Sequence, residues 1–578
     1  MSDDGLEFGM SVGSEGLGWL DGSIILLYVL VLIVLSLRAR NSMRRMDVET
    51  ESTSRQKEEN YLLSGRKLTL PAFVATLVST WYGGILGVGE FSYLYGISQW
   101  VVMGLPYYLF AVLFAFFLAG KIRASKALSI PEAVYGVYGN KASKLSAGLI
   151  FLLVNPAPYI LMVALIAQYV LGFEGWYFPV IVALFSAFYV SWGGFGAVVR
   201  TDVFQAVLMY VGFGVLLYAA WSAFGSPIDV WNLLPDYHKD PTGGQEISYL
   251  LVWFFIALWT FVDPGFHQRA AAAKSGKTAR NGILVSVGFW FIFDMATLIT
   301  ALYGVVMFTE LPSAALIYPA MADHLLPFGL KGLFFLTLLA TIMSTLDSFL
   351  FISGQTLGRD MISGTHTIAE SAPRQPGSDS NPSEHQAFGR NSHDLPYAKR
   401  DSHFESSTFD TSDSWLNSEF SNSGSFKTTN AENTPDHLGS DSNPHSFGEN
   451  SDLHLWGITI SPVQRTQIGI LFSAFIGVVL VWLFPSVIDL WYVIGSVLIP
   501  GLLLPILGIY YPAFRVPVRV APYLIGIPVL VSLGWLMGGL YSDSGGYYTL
   551  WGIEPFYPGL TTSVVIFSLV QLRKATRL

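Results

Sequence analysis

One apolar segment of the chain carries a row of hydroxyl groups. Four hydroxyl side chains recur there at spacings of three and four residues: Thr341, Ser344, Thr345 and Ser348. This spacing places them on one face of a helix. A small, hard monovalent cation prefers oxygen from hydroxyls, carboxylates and bare backbone carbonyls over sulfur or imidazole. The row therefore predicts a cation site, unless each hydroxyl merely bonds back to its own helix.

Two carboxylates stand in other apolar segments. Asp202 precedes Gln205 by about one helical turn, so it could hold a cation or could begin a helix with its carboxylate toward the aqueous side. Asp294 has no basic neighbour and could contact a solute or a proton, or equally form a structural hydrogen bond to another helix. Because polar groups are costly in hydrocarbon, each is a candidate functional residue.

Two apolar segments are interrupted by helix-breaking residues. The breaks lie in two runs of the sequence: Thr80-Trp81-Tyr82-Gly83-Gly84 and Asp263-Pro264-Gly265. Such breaks expose backbone carbonyls, and in transporters built from inverted repeats the broken helices meet at the binding site. The alternative is that the glycines only allow close helix packing. Because the two breaks lie five apolar segments apart, we expect the membrane domain to contain two halves of matching structure.

The elements that position these residues must lie in a membrane. Hydrophobic residues make up 52% of the chain and charged residues only 13%, and the mean hydropathy is +0.48, which is too apolar for a soluble globule. Cysteine is absent, which excludes disulfides and thiolate sites. No nucleotide loop, nucleophile elbow or zinc signature is present. We therefore expect neither an enzyme, nor a cofactor, nor a nucleic-acid partner.

Apolar runs long enough to cross a bilayer recur almost from end to end. Thirteen spans are predicted, at about residues 22–38, 70–92, 99–119, 145–171, 175–192, 197–223, 248–264, 281–308, 331–357, 466–485, 488–510, 520–540 and 553–572. We expect one all-α membrane domain in two parts, residues 22–361 and 456–578, preceded by an extracellular tail at residues 1–21.

The Lys and Arg distribution predicts the orientation of the chain. Alternate loops hold nearly all of the basic residues, which belong on the cytoplasmic face. The residues counted in this way include Arg38, Arg40, Arg44, Arg45, Arg66, Arg123, Arg200, Arg269, Arg280, Arg359, Arg465, Arg515 and Arg573. The N-terminus is then outside and the C-terminus is cytoplasmic. Because residues 1–21 lack the features of a cleaved signal peptide, the first span should be a retained helix.

Residues 362–455 differ from the rest of the chain. They are rich in Ser, Asn, Asp, Gly and Pro, and their five Lys/Arg against fourteen Asp/Glu account for the formal net charge of −9 of the whole chain. This composition predicts a disordered, acidic cytoplasmic insert.

Four motifs in the same order resemble the sodium:solute symporter family, whose members include proline, sugar, pantothenate, iodide and choline transporters. They are Tyr61-Leu62-Leu63-Ser64-Gly65-Arg66, the run from Gly193 to Gln205, Gln268-Arg269 with Ala272-Ala273-Lys274-Ser275, and Ser344-Thr345-Leu346-Asp347-Ser348. The resemblance implies a leucine-transporter-like fold of five plus five inverted repeats, with one extra helix before it and two after. It also implies sodium as the coupling ion and a small-molecule solute as the cargo.

The resemblance also implies site residues. A sodium site would use backbone carbonyls at Leu77 and Thr80 with oxygens from three side chains: Thr341, Ser344 and Thr345. A possible second sodium site would join Asp202, Ser344, Asp347 and Ser348. The first break is similar to the Thr-Trp-x-Gly-Gly of choline transporters, which favours an amine or zwitterion. The substrate residues are then Trp81, Tyr82, Gly83 and Trp259. We add Asp263, which stands where those transporters carry an aromatic residue and so departs from their pattern, and Asp294, which is a candidate from its own place in an apolar segment.

These features predict a sodium-coupled symporter of the cell membrane, plasma or inner. Two other functions remain open: a membrane sensor or receptor that kept the fold but lost transport, and an ion channel lined by the same oxygens. Proton in place of sodium, the identity of the solute and the oligomeric state are not decided by the sequence.

Overall fold

The computed structural model describes residues 18–49, 52–172, 175–362, 453–455, 458–483, 487–541 and 549–576. Within them the chain is helical apart from one short hairpin, Leu453–Leu455 (β1) paired antiparallel with Ile458–Ile460 (β2). The predicted tail at residues 1–21 lies mostly outside the described residues. So does most of the predicted insert at 362–455, although its last three residues form β1 rather than irregular chain.

The helices, numbered in chain order, are α1 Trp19–Glu49, α2 Ser54–Leu63, α3 Leu70–Trp81, α4 Ile85–Tyr95, α5 Ser98–Met103, α6 Leu105–Phe114, α7 Gly120–Ser125, α8 Ile130–Leu153, α9 Ala157–Leu171, α10 Phe178–Phe224 and α11 Pro227–Leu233. They continue as α12 Asp236–Lys239, α13 Ile247–Ile256, α14 Trp259–Val262, α15 Pro264–Ala272, α16 Gly276–Met307, α17 Ile317–Leu325, α18 Leu330–Gln355, α19 Pro462–Leu483, α20 Val487–Tyr510, α21 Ala521–Tyr541 and α22 Phe556–Ala575.

Eleven helical stretches of the described residues are long and apolar enough to cross a membrane. The thirteen predicted spans all fall on helices, and the difference between thirteen predicted spans and eleven observed stretches has two causes. The spans predicted at 175–192 and 197–223 form the single stretch α10, although Gly194 with φ 59° divides it. The last predicted span is α22, which begins Phe-Tyr-Pro-Gly and is not among the eleven. The exact number of crossings therefore stays a prediction.

Both predicted helix breaks are present. A short 3-10 turn, Tyr82–Gly84, separates α3 from α4. At the second break, Asp263 adopts extended backbone angles between α14 and α15. Its carboxylate accepts a hydrogen bond from the backbone N–H of Phe266 at 3.0 Å and so caps the start of α15. Proline at the next position cannot continue α14 because it lacks a backbone N–H.

Helix α18, which carries the hydroxyl row, lies at the centre of the described structure. Almost all of its residues are buried, and it packs against α1, α3, α9, α10 and α19. In an apolar surround, helices approach closely where side chains are small. Gly83 shows this directly, because a Cβ added to it would lie 2.2 Å from the Cβ of Thr345. The backbone at the first break therefore lies directly against the hydroxyl row of α18.

Four arginines counted as loop charges are in fact buried: Arg66 (8% exposed), Arg269, Arg359 and Arg465 (6% exposed). Arg269 is fully buried within α15, and Arg359 is 1% exposed just after α18. Arg359 forms ion pairs at 2.7 Å with Glu58, Glu132 and Asp360. Because paired arginines can be buried, sequence position alone was wrong as a guide to their exposure. The predicted orientation then depends on the remaining basic residues.

Candidate functional site

A cavity of about 160 Å³ lies between the two broken helices. Its wall includes residues on both sides of the first break, among them Thr80, Trp81 and Gly84, and on both sides of the second. The cavity therefore lies where the sequence placed the binding site. Pockets for small solutes are commonly apolar with a few convergent polar groups, and this one fits that description.

The predicted sodium residues meet at the junction of α3 and α18. Thr345 donates a hydrogen bond from its hydroxyl to the backbone carbonyl of Thr80 at 2.6 Å. Ser344 donates to the hydroxyl of Ser79 at 3.0 Å. Both contacts join the hydroxyl row to the last turn of α3. They supply the kind of oxygen set, from two helices, that a monovalent cation requires.

The two remaining predicted sodium ligands are Thr341 and Leu77. Thr341 donates to the carbonyl of Thr337 at 2.7 Å, four residues earlier in the same helix, as the alternative reading of the hydroxyl row supposed. Leu77 lies one turn before Thr80 and lines the cavity. Because a hydroxyl that donates keeps its oxygen lone pairs, Thr341 can bond to Thr337 and still offer its oxygen to an ion.

Asp202 is the centre of a buried polar cluster. The carboxylate is fully buried in α10, so it does not face the aqueous side, and it accepts hydrogen bonds from Thr76 and from Ser344 at 2.6 Å. The guanidinium of Arg269 lies 3.4 Å away. Burial of this carboxylate is tolerated because hydrogen bonds and an opposite charge surround it.

Arg269 connects the possible second sodium site to the cavity. Its Nη2 donates to the hydroxyl of Thr80 at 2.6 Å and to that of Ser348 at 2.9 Å, while Nε donates to Thr76 at 3.2 Å. In the sequence, Arg269 is part of one of the four family motifs, and we counted it among the basic residues of a cytoplasmic loop. No local signal marked it as buried, because it follows the Pro264 break by five residues in the polar run His267-Gln268-Arg269, beyond the predicted span at 248–264.

Asp347, the remaining residue of the possible second site, has a different neighbour. Its Oδ2 accepts a hydrogen bond from the hydroxyl of Tyr189. Its Oδ1 is buried and has no hydrogen-bond partner among the described residues. The structure thus brings Asp202, Ser344 and Ser348 around Arg269 and pairs Asp347 with Tyr189 on the first half of α10.

The predicted aromatic substrate residues line the cavity together with rings that the sequence did not indicate. Trp81 lies edge-on to Tyr107, with 4.8 Å between ring centroids, and Trp259 is also in the wall. The additional aromatic residues in the wall are Tyr107, Tyr159, Trp253, Phe266, Phe349 and Trp491. Trp491 packs where a Cβ on Gly84 would fall, 1.9 Å away. Such long-range contacts have no local signature.

Gly83 and Tyr82 have packing roles in the structure. Gly83 faces Thr345 and is not among the residues that line the cavity. The Tyr82 ring does line it, and its hydroxyl donates to the carbonyl of Trp290 at 2.8 Å. Of the two predicted substrate residues, only Tyr82 therefore reaches the solute space.

Two carboxylates reach the cavity. Asp263 caps α15 but also belongs to the wall. Asp294 lies in the wall on α16 and accepts a hydrogen bond from the hydroxyl of Tyr108. Neither of them has a basic partner within ion-pair distance in the described part of the chain. Arg269 also lines the cavity and acts electrostatically on Asp263 from beyond ion-pair distance, whereas no basic residue among the described ones acts on Asp294 in this way. A carboxylate beside a solute-sized cavity can pair with a positive charge on the solute.

A model of the sodium:solute symporter family matches residues 61–372. A sodium/glucose cotransporter of Vibrio parahaemolyticus is 25% identical over 391 residues, which are 59% of this chain and 68% of that protein. The sodium/iodide cotransporter of Homo sapiens is 28% identical over 281 residues, 43% of this chain and 40% of the relative. A sodium/proline symporter of Haemophilus influenzae is 26% identical over 342 residues, 53% and 66% of the two chains. Apart from the first, these matches cover less than two thirds of the relative's length.

Among solved structures, a Na+-coupled sialic acid symporter in a substrate-bound, outward-open state is similar to this chain. The TM-score is 0.65 at 13% sequence identity, and the match covers 96% of this chain and 97% of the other. At this identity the similarity shows the fold and not the solute. It agrees with the helical architecture described above.

Proposed function

The chain belongs to the sodium:solute symporter family, and from this premise we propose that it carries a small organic solute through a membrane together with sodium by alternating access. The solute binds in the cavity between the broken helices. Sodium binds beside it, between α3 and α18. We also propose the five-plus-five inverted repeat, with one helix before it and two after it, and an outside N-terminus in the cell membrane.

The observation that carries this proposal is the place of Thr80. Its backbone carbonyl accepts the hydrogen bond from Thr345, and the same residue lines the solute cavity. An ion that binds the Thr80 carbonyl would therefore fix the end of α3 that shapes the cavity. By reciprocity, a solute that favours this arrangement would raise the affinity for sodium by the same factor.

The cavity's chemistry favours a solute with a positive charge. Trp81, Tyr82 and Trp259 offer aromatic faces, and Asp263 and Asp294 add two carboxylates that have no ion-pair partner among the described residues. The guanidinium in the wall, Arg269, is engaged with Asp202, Thr80 and Ser348. Cations bind favourably to both kinds of group. We therefore propose an amine or a zwitterion, with the indole of Trp81 and the carboxylate of Asp263 or Asp294 nearest to its cationic end.

The position of Arg269 opposes the binding of a second sodium ion beside Asp202. In the present conformation this side chain supplies the positive charge beside Asp202. A sodium ion held by Asp202, Ser344, Asp347 and Ser348 would require Arg269 to withdraw, because two cations at this separation repel each other. We propose that this conformation binds one sodium ion, at Leu77, Thr80, Thr341, Ser344 and Thr345.

Uptake into proteoliposomes tests the proposal. Purified protein in vesicles with an inward sodium gradient should accumulate labelled amines or zwitterions above equilibrium, and an equal potassium or lithium gradient should not drive it. Each solute that accumulates should also increase the entry of sodium into the vesicles. Sodium entry without any solute dependence would identify a channel, and solute binding without movement would identify a sensor or receptor. A proton gradient that drives uptake in sodium-free buffer would replace sodium as the coupling ion.

A further inference from the structure

Three arginines meet on one lipid-facing surface of the fold, at the contact of α1 and α10. The hydroxyl of Ser36 donates to the carbonyl of Tyr189 at 2.5 Å, and Gly196 of α10 lies beside Ala39 of α1. This contact brings Arg38 and Arg40, which flank Ala39, next to the segment that contains Trp192 and Arg200. We call Arg38, Arg40, Arg200 and Trp192 the α1–α10 basic patch.

The guanidinium groups of the patch lack acidic partners. None of the ion pairs in the described part of the chain includes Arg38, Arg40 or Arg200. Arg38 lies close enough to Arg200 for their positive charges to interact. The Nη1 nitrogen of Arg200 is shielded from solvent and has no hydrogen-bond acceptor among the described residues. Arg40 stacks on Trp192, with its guanidinium carbon 5.3 Å from the ring centroid.

A preference for basic residues at one membrane face explains why arginines occur here. It does not explain why two of them are held together with one nitrogen buried. Like charges at short range are unfavourable, and a buried donor without an acceptor adds a further cost. Both costs are removed when an anion with several acceptor oxygens binds between the two side chains. A phosphodiester group suits this position because arginine binds phosphate oxygens in pairs.

The patch lies at the depth of lipid headgroups. Arg38 follows Trp19 by nineteen residues of continuous helix α1, a rise of about 28 Å, which is close to the ~30 Å thickness of bilayer hydrocarbon. Trp19 is 83% exposed at the opposite end, as expected for an interfacial tryptophan. Between the two ends, exposed apolar side chains such as Val34 and Leu37 of α1 and Val203 of α10 provide a surface for acyl chains.

We propose that the α1–α10 basic patch binds one anionic phospholipid, with the phosphate between Arg38 and Arg200 and the acyl chains along α1 and α10. The net positive charge favours a headgroup such as phosphatidylglycerol over a zwitterionic one. This site is separate from the solute cavity and does not require the proposed transport function to be correct.

Native mass spectrometry of the full-length protein, delipidated and then titrated with phosphatidylglycerol or phosphatidylcholine, tests the proposal. The wild type should retain phosphatidylglycerol preferentially. Each of Arg38→Gln and Arg200→Gln should weaken retention about fivefold, and the double variant about 25-fold, on the basis of roughly one interfacial charge lost per arginine. Arg519→Gln, which removes an exposed arginine with no ion-pair partner in the described structure, is the matched control and should behave as wild type.

Several results would overturn the proposal. They are equal retention of the two lipids by the wild type, unchanged retention in the double variant, or an equal loss in Arg519→Gln. Monodispersity by size-exclusion chromatography shows that the variants fold. Arg38→Lys with Arg200→Lys keeps the charge but not the paired N–H groups, so it should retain phosphatidylglycerol better than the Gln double variant and less well than the wild type. A carbodiimide cross-link from position 200 of Arg200→Lys to an acidic residue between 363 and 452 would assign the patch to that segment instead.

Discussion

The hydroxyl of Thr345 donates a hydrogen bond to the backbone carbonyl of Thr80, 2.6 Å away, across 265 residues of sequence. Thr345 belongs to the central helix α18, and Thr80 stands at the point where α3 stops before its break. The contact joins the proposed ion site to the wall of the solute cavity.

Replacing Ser344 and Thr345 together by Ala should abolish the sodium dependence of solute binding. The double variant removes two oxygens from a site with few others and leaves most of the packing volume in place. It should bind solute as the wild type does without sodium. Solute binding is measured against sodium concentration, with lithium and potassium as comparisons. Ser286→Ala is the matched control, because Ser286 bonds only to the carbonyl of Gly282 in its own helix at 2.8 Å. Retained sodium dependence in the double variant would contradict the site assignment.

Asp263→Asn should weaken the binding of a cationic solute far more than that of a neutral one. The Asn side chain can still cap α15, since Asn and Asp are similar N-cap residues, so the variant tests charge with little change in the break. Loss of an opposing charge in a partly dry cavity costs on the order of 2–5 kcal/mol. Isothermal titration with matched cationic and neutral solutes measures it. Asp294→Asn, in parallel, shows which carboxylate is nearer to the charge, and equal effects on both solutes in both variants would argue against an amine.

Arg269→Gln should destabilise the protein in sodium-free buffer, because the buried carboxylate of Asp202 loses its cation; breaking one buried pair costs about 3–5 kcal/mol. Sodium should restore more stability to this variant than to the wild type, since the position beside Asp202 becomes free. The readout is thermal unfolding in detergent with and without sodium. In Asp202→Asn with Arg269→Gln, this extra sodium response should disappear. A sodium response in Arg269→Gln no larger than in wild type would show that Arg269 does not exclude a second ion.

Acidification should release the segment that contains α12 from the end of α4. His238 is 2% exposed, its Nε2 contacts the carbonyl of Tyr93 at 2.8 Å, and its own carbonyl accepts from the N–H of Ile97 at 3.0 Å. Burial lowers the pKa of His238 below its ordinary value of 6.5. The folded state therefore binds this proton less readily than the unfolded segment does, and the docking is stable above about pH 6.5 and weakens as the pH falls below it.

Hydrogen exchange of the backbone N–H of Ile97 reports this docking. Its protection should fall between pH 6.5 and 5 in the wild type after correction for the intrinsic exchange rate, and should change less in His238→Gln, which cannot take up the proton. Asp236, Tyr237 and Lys239 are the other ionisable neighbours on α12. His324→Gln, which changes a histidine on a different helix, α17, is the control. The same pH response in His238→Gln would assign the effect to another group.

Much of this protein was determined by local sequence patterns. Long apolar runs identified the membrane domain, and the Gly-Gly and Asp-Pro-Gly runs identified both helix breaks. The family followed from motifs read in order. These features act over one or two helical turns, or through the transfer of a whole segment into hydrocarbon. The physical cause and the sequence signal therefore occupy the same few residues.

Tertiary structure decided which side chains meet. Arg269 was counted as a loop charge but lies beside Asp202, 67 residues away in the sequence. Asp347 was grouped with Asp202 in a possible sodium site but accepts a hydrogen bond from Tyr189. Trp491 reaches the cavity from α20, far along the chain. Each of these contacts depends on how helices distant in sequence pack around α18. A charge can leave water only when such packing supplies its partners, and no local spacing records that condition.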